Sequence, residues 1–148
     1  MKDNSMKTIR VAKLRDEARI PSRKHPDDAG MDFYAAADWL IAPHSFETIP
    51  TGITIEIPRG YVGLARLKSR SNYMLAAGVV DAGYQGEIMV KILNPTDFPI
   101  LIHAGDAIAQ MLILPIETPQ VQEMPLDQIH TERSARGATG GILGNSED

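Results

Sequence analysis

Residues 78–87 read GVVDAGYQGE, and this stretch gives the strongest single indication of both fold and chemistry. Two valines precede Asp81, and β-branched residues favour a strand. Gly83 and Gly86 permit tight turns on either side of Tyr84. The pattern predicts a β-hairpin that presents one carboxylate and one aromatic ring to the same pocket, where the acid could activate a water beside a sugar or a base. An ordinary hairpin with a solvated Asp and a packed Tyr would have the same residues.

Further short strands are predicted on both sides of this stretch. Alternating or apolar segments, separated by Gly, Pro or Asn, are typical of a β-sandwich or barrel. The sequence therefore predicts an all-β fold, with one modest helix candidate at residues 71–77. The predicted strands are residues 8–14, 46–57, 61–67, 87–93, 100–103 and 108–116.

Length and composition narrow the class of protein. The 148 residues fit one domain that can bury a core, and the absence of Cys excludes disulfides and thiolate metal sites. No apolar run approaches the roughly 20 residues that a membrane helix needs. The N-terminus has no apolar signal region, so we expect a cytoplasmic protein with no membrane partner. The net charge of -4 argues against broad nucleic-acid binding.

We predict one β domain over residues 1–128, with a loose tail at 1–7, and a Gly-rich C-terminal arm over residues 129–148. The arm contains Arg136 followed by a dense run of glycines. Glycine-rich backbone beside an arginine can wrap phosphates with its amides. A flexible tail has the same composition, and both interpretations stay open at this point.

Three other segments carry candidate site residues. Asp32 follows a Gly turn in residues 28–36, and one such acid can serve a magnesium ion that is held mainly by waters and phosphates. It could equally cap the turn. Residues 68–72 read KSRSN, where Arg70 offers planar donors to phosphate oxygens, although a solvated turn would look alike. Gln110 interrupts an apolar strand, so its amide either satisfies neighbouring backbone or faces a ligand.

Taken in order along the chain, these segments resemble the five motifs of the trimeric dUTPase family (deoxyuridine 5′-triphosphate nucleotidohydrolase). The resemblance covers roughly residues 8–144. It implies a jelly-roll-like β-clip fold, a homotrimer with sites at subunit interfaces, and a flexible C-terminal arm. The matching segments are residues 28–38, 69–71, 78–87, 105–111 and, in a degenerate form, 136–144.

The resemblance also implies an activity: Mg²⁺-dependent hydrolysis of dUTP to dUMP and pyrophosphate, which limits uracil in DNA and supplies dUMP for dTMP synthesis. Asp81 would be the base that deprotonates the water attacking the α-phosphorus. Asp106, one layer of residues further out, would support that water or its neighbours. Tyr84 would lie under the deoxyribose, and Asp32 would reach Mg²⁺ through water. The implied substrate-binding residues are Arg70, Ser71, Asn72, Val80, Tyr84, Met89, Gln110 and Arg136.

The chain departs from the family pattern in the connection from Arg70 to Asp81, which is shorter than usual and normally supplies a helical turn and one side of the uracil-reading hairpin. Main-chain groups of residues 75–80 would read uracil. Three alternatives follow from this short connection, from the degenerate fifth segment and from shared folds. One is a deoxynucleotide hydrolase with relaxed base choice. Another is a dCTP deaminase-like enzyme, although Lys91 stands where that reaction needs a Glu. The third is a catalytically silent nucleotide-binding regulator.

Overall fold

A computed structural model of the chain describes residues 6–76 and 78–137. These residues form strands with one short 3-10 helix, and the all-β prediction is confirmed. Within the described residues, no helix is long and apolar enough to cross a membrane. The elements are β1 (Arg10–Lys13), β2 (Met31–Tyr34), β3 (Trp39–Ile41), β4 (Phe46–Pro50), β5 (Ile53–Glu56), β6 (Tyr61–Arg66), β7 (Met74–Leu75), β8 (Val79–Val80), β9 (Met89–Leu93), β10 (Ile100–Ile102), β11 (Ala107–Pro115) and η1 (Leu126–Gln128).

The chain divides into two compact units after Glu117. The first unit contains the strands, and the second, which starts at Thr118, contains η1. The boundary predicted at residue 128 falls within the second unit. Of the segment predicted as the fifth motif, residues 138–144 lie outside the described part of the chain.

All strand pairs are antiparallel, and the described strands that pair with one another are never consecutive in the chain. Consecutive strands therefore lie in different sheets. Such non-local pairing is what a jelly-roll-like fold requires, in contrast to a meander of hairpins. The sheets of the described residues have the strand orders β1-β5, β10-β3, β2-β11-β6-β8 and β4-β9-β7.

The predicted hairpin at residues 78–87 is wrong as a strand pairing. Strand β8 pairs with β6, where Val80 lies opposite Gly63, whereas β9 pairs with β4 and β7. The stretch that connects β8 and β9 therefore crosses from one sheet to another. Gly78 explains part of this, because a Cβ on it would lie 2.3 Å from the Ala65 carbonyl oxygen. Only a glycine allows the chain to approach β6 so closely.

The helix candidate at residues 71–77 is also wrong. Met74–Leu75 forms strand β7, which pairs with β9. The preceding Tyr73 is buried, and its hydroxyl donates a hydrogen bond of 3.1 Å to the Ile108 carbonyl. A single helical turn is costly to nucleate, and here the burial of an aromatic ring and strand pairing replace it.

The predicted strand at residues 46–57 is interrupted between β4 and β5. Gly52 has a φ of 68°, which ends the extended conformation. The buried Thr51 next to it donates a hydrogen bond of 2.6 Å from its hydroxyl to the Ile88 carbonyl. This bond holds the beginning of β9 beside the break, and thereby fixes one end of the stretch that carries Asp81.

The core consists of two apolar clusters that are formed mostly by strand residues. Strand β11 contributes to both: Ile108 and Ala109 pack in the first cluster and Met111 in the second. Because β11 also pairs with β2 and β6, it links the strand that carries Asp32 to the strand that leads to Arg70. The core therefore fixes the relative positions of these two candidate residues.

Candidate active site

Asp81 begins a tight turn that directly follows β8. The Tyr84 amide donates a hydrogen bond of 3.1 Å to the Asp81 carbonyl, and the Tyr84 hydroxyl donates one of 2.6 Å to the Glu87 carbonyl. The ring lies against Gly86, where a Cβ would be 2.7 Å from the Tyr84 hydroxyl oxygen. Gly86 is thus required because the ring approaches it closely. The turn holds Tyr84 through both its backbone amide and its hydroxyl.

The turn opens on a cavity of about 230 Å³. The Asp81 side chain is exposed, and within the described residues its carboxylate makes no hydrogen bond or ion pair. A carboxylate that is open to solvent and not engaged by the protein is available to a ligand or to a bound water. Four residues predicted from the sequence share this cavity, namely Val80, Asp81, Tyr84 and Met89.

Glu87 lies at the end of the turn and connects it to the N-terminal part of the chain through hydrogen bonds with Arg15. Its carboxylate accepts two hydrogen bonds from Arg15, of 2.7 Å from Nη1 and 2.9 Å from Nη2. The Gly52 amide donates a third, longer bond of 3.4 Å. Hydrogen bonding to Arg15 holds the pKa of Glu87 below its usual range, because these bonds favour the charged carboxylate.

Asp32 and Gln110 lie opposite each other on β2 and β11. The Asp32 carboxylate forms an ion pair with the ammonium of Lys68, and within the described residues it accepts no hydrogen bond from the preceding turn. The Gln110 amide donates a hydrogen bond of 2.8 Å to the Leu67 carbonyl, which is the backbone-satisfying alternative considered for this residue. Gly30 makes room for it, since a Cβ there would lie 2.5 Å from Gln110 Oε1.

A second cavity, of about 480 Å³, is lined by Arg70, Ser71 and Asn72 together with Asp106. The Ser71 amide donates to the Lys68 carbonyl at 3.1 Å in a turn, and the next element of the described residues is strand β7 rather than a helix. Asp106 accepts a hydrogen bond of 2.8 Å from the His103 amide, which fixes the Gly-Asp turn before β11. The cavity thus combines cationic, hydroxyl and amide donors.

The sequence pattern does not identify Lys68 as a site residue. This lysine lines the cavity of Arg70 and also pairs with Asp32, so it connects two predicted groups. Its position two residues before Arg70 in a polar segment was the only signal in the sequence. The ion pair joins β2 to the segment that follows β6, and β11 lies between these two strands, an arrangement that no local pattern reveals.

The family model described as dUTPase matches residues 16–141 of the chain. The deoxyuridine 5′-triphosphate nucleotidohydrolase of Mycobacterium sp. (strain JLS) is 37% identical over 141 residues, covering 90% of this chain and 92% of the relative. The chain belongs to the dUTPase family. The corresponding protein of Gloeobacter violaceus is 34% identical over 145 residues, covering 91% of this chain and 97% of its own length.

Solved structures of the dUTPase family agree with the fold. The dUTPase of Staphylococcus bacteriophage 80alpha, solved with dUPNHPP, has a TM-score of 0.83 at 28% identity, over 92% of this chain and 97% of that one. A mutant dUTPase from phage phi11 of S. aureus, described for its coordination of a structural Mg(II) ion, has a TM-score of 0.75 at 28% identity, over 79% and 96%. The predicted family and fold are confirmed.

In this member of the dUTPase family, the predicted site residues of a single chain line more than one cavity. The residues that line the Asp81 cavity do not include any that line the Arg70 cavity. Asp106, which we expected to support the Asp81 water, lines the Arg70 cavity. Arg136 belongs to the second unit, in a turn where the Gly137 amide donates to the Ser134 carbonyl at 3.3 Å.

Proposed function

We propose that the chain hydrolyses dUTP to dUMP and pyrophosphate, with Asp81 as the general base. The observation that carries this proposal is the shared cavity of Asp81 and Tyr84, in which the carboxylate stays unpaired among the described residues while the ring is fixed. Family membership supports the substrate, since the relatives are named for dUTP hydrolysis. The limitation of uracil in DNA and the supply of dUMP for dTMP synthesis follow from this reaction.

In the proposed mechanism Asp81 orients a water and takes its proton while the water oxygen bonds to the α-phosphorus. The bond from the α-phosphorus to the bridging oxygen breaks, and pyrophosphate leaves with that oxygen. A positioned base of this kind contributes about 10²–10⁴-fold to the rate. Tyr84 would lie under the deoxyribose, and its fixed ring would leave no room for a 2′-hydroxyl.

The proposed triphosphate site consists of Arg70, Ser71 and Asn72, with Gln110 and Lys68 beside them. Planar arginine and ammonium donors match phosphate oxygens, and phosphoryl transfer is catalysed mainly by positioning and charge stabilisation. Arg136 of the C-terminal arm is proposed to contact the terminal phosphate.

The residues fit a magnesium ion that is held mainly by the substrate. The described residues contain no group of three or more metal-ligating His, Cys, Asp or Glu side chains, so they offer no all-protein cage. Asp32 supplies one half-buried carboxylate beside the phosphate site. Mg²⁺ commonly binds one or two carboxylates together with substrate phosphates and waters. When bound, it would neutralise charge on the phosphates, and Asp32 is proposed to contact it through water.

Uracil recognition is proposed at a third cavity, of about 350 Å³, between the end of β6 and the segment from β7 to β8. Leu75, Ala76 and Gly78 line one side of it. The Gly78 carbonyl already accepts a hydrogen bond of 2.6 Å from the Ala65 amide, which fixes the segment against β6. Main-chain groups of residues 75–80 would then pair with the base.

A homotrimer with interfacial sites is part of the proposal. A phosphate cannot contact Arg70 in one cavity and the Asp81 water in another unless the two cavities meet. A subunit interface would bring the two cavities together, with Asp81 supplied by one protomer and Arg70 by its neighbour. Closed cyclic assemblies place the same two surfaces in contact at every interface.

The experiment that tests the function is pyrophosphate release from dUTP, dCTP, dTTP and UTP in parallel, with Mg²⁺ and then with EDTA. We expect metal-dependent cleavage of dUTP alone. Comparable cleavage of the other deoxynucleotides would replace uracil specificity with relaxed base choice, and no turnover of any would favour a binding protein. Deamination of dCTP is not expected, because Lys91 lies with its ammonium 4.2 Å from the centre of the Phe46 ring and supplies no acid.

A further inference from the structure

The turn that carries Asp81 and Tyr84 is held by an arginine that lies outside all the motif segments. Arg15 is half-buried and binds both carboxylate oxygens of Glu87, at 2.7 and 2.9 Å. Paired parallel bonds between a guanidinium and a carboxylate fix orientation as well as distance. The Glu87 side chain is 18% exposed, so few waters can replace the arginine.

Glu87 transmits this constraint to Tyr84. Its carbonyl accepts the hydrogen bond of 2.6 Å from the Tyr84 hydroxyl, while its carboxylate is held by Arg15. Glu87 also lines the cavity that contains Asp81 and Tyr84. A displacement of Glu87 would therefore move the acceptor that fixes the ring.

The orientation of Arg15 is set by a turn that packs against Gly52. The Ala18 amide donates to the Arg15 carbonyl at 3.2 Å, and the Leu14 amide donates to the Gly52 carbonyl at 2.7 Å. Ala18 is 3% exposed, and a Cβ on Gly52 would lie 2.6 Å from its Cβ. Because Gly52 has a positive φ and no side chain, the Arg15 turn can lie directly on the break between β4 and β5.

We infer that Arg15 is a positioning residue: through Glu87 it sets the place of the Tyr84 ring and thereby the discrimination between deoxyribose and ribose. The inference rests on the proposed function, in which Tyr84 excludes the 2′-hydroxyl. Arg15 does not line the cavity of Asp81 and Tyr84, so its replacement should act on geometry rather than on proton transfer. A misplacement of about 1 Å remote from the chemistry can cost on the order of a hundredfold in rate.

The test compares Arg15→Met, Arg15→Lys and Glu87→Gln with the wild type. Glu17→Gln is the matched control, since Glu17 contacts the same arginine at 3.8 Å but is exposed and lies outside the turn. For each protein, kcat and KM are measured with dUTP and with UTP, and the melting temperature is recorded. Binding of dUpNHpp separates affinity from turnover.

We expect Arg15→Met and Glu87→Gln to lower kcat/KM for dUTP about ten- to a hundredfold, and to raise the relative rate with UTP. Arg15→Lys should show smaller changes than Arg15→Met in both quantities, because a lysine keeps the charge but cannot form the paired contact. Glu17→Gln should match the wild type. These assays are run well below the melting temperature of each variant.

A variant series with lower melting temperatures but unchanged kcat/KM and an unchanged dUTP-to-UTP ratio would assign Arg15 to stability alone and overturn the inference. If Arg15→Met does not fold, Arg15→Lys and Glu87→Gln still decide the question. A wild-type protein that does not cleave dUTP would overturn the proposed function instead, so the two failures are distinguishable.

Discussion

Asp81 is the residue on which the proposed chemistry depends, and Asp81→Asn removes its ability to take a proton while it keeps the side-chain shape. The carboxylate is exposed and makes no bond to the described residues, so the fold should not need it. We expect unchanged melting and dUpNHpp binding, with turnover reduced by about 10²–10⁴-fold. Asp97→Asn, an exposed acid paired with His44, is the control. Lost affinity at an unchanged rate would contradict the base assignment.

Lys68 gives a second prediction at the same scale. Lys68 lines the Arg70 cavity and its ammonium pairs with Asp32. Lys68→Met therefore removes a positive charge from the proposed phosphate site and leaves a half-buried carboxylate unpaired. We expect roughly tenfold weaker binding of dUpNHpp, the size of one charge-assisted hydrogen bond. Lys68→Arg should retain most of the affinity.

The readout for Lys68 is titration calorimetry with dUpNHpp, once with Mg²⁺ and once with EDTA. Lys13→Met is the matched control, because Lys13 is an exposed lysine of β1 outside the Arg70 cavity. Equal affinity of the wild type and Lys68→Met under both conditions would exclude Lys68 from the phosphate site.

At the scale of the element, the Asp81 turn contains two glycines that differ in the space available for a side chain. A Cβ on Gly86 would lie 2.7 Å from the Tyr84 hydroxyl oxygen, whereas a Cβ on Gly83 would meet no atom within 4 Å. Gly86→Ala should therefore displace the ring and raise KM for dUTP, while Gly83→Ala should leave kinetics close to the wild type. Kinetics of both variants with dUTP check this. Wild-type kinetics for Gly86→Ala would contradict a role for the ring position in dUTP binding.

The same elements show how far the sequence predicts this fold. Strands β6, β9 and β11 were predicted to within a few residues, because alternation and bounding turn residues are local signals. Strands β7 and β8 have two residues each, too few for a period. The expected hairpin failed because the partner of β8 is β6, and that choice depends on the contact between Gly78 and the Ala65 carbonyl.

The site residues that lie within one turn could be predicted from the sequence, whereas those that depend on contacts between distant segments could not. Residues 78–87 predicted that an acid and a ring share a cavity, since both belong to one turn. Arg15 and Lys68 were not predicted as site residues, because their ion pairs with Glu87 and Asp32 join segments far apart in the chain. Only the packing of the first unit brings those segments together.

At the scale of the whole molecule, the Arg15–Glu87 pair makes stability depend on pH. Hydrogen bonding to Arg15 lowers the pKa of Glu87 from its ordinary value of 4.5. A carboxylate with a lowered pKa in the folded state stabilises that state fully above the unfolded pKa, and the stabilisation is lost as pH falls through the folded value. The difference in unfolding free energy between wild type and Glu87→Gln should therefore be largest near neutral pH and shrink below pH 4.5. Urea unfolding across pH tests this, and a constant difference would contradict it.

The proposed assembly provides the last prediction, because a single chain lines the Asp81 cavity and the Arg70 cavity with different residues. If each site takes Asp81 from one subunit and Arg70 from a neighbour, two inactive variants should complement each other. Co-expressed Asp81→Asn and Arg70→Ala chains in equal amounts would form mixed trimers in which about a quarter of the sites have both wild-type residues. Pyrophosphate release per chain should then recover to about that fraction of the wild type. Separately purified variants, mixed without subunit exchange, are the control. If both residues of a site came from the same chain, each site would retain one defect and co-expression would restore nothing.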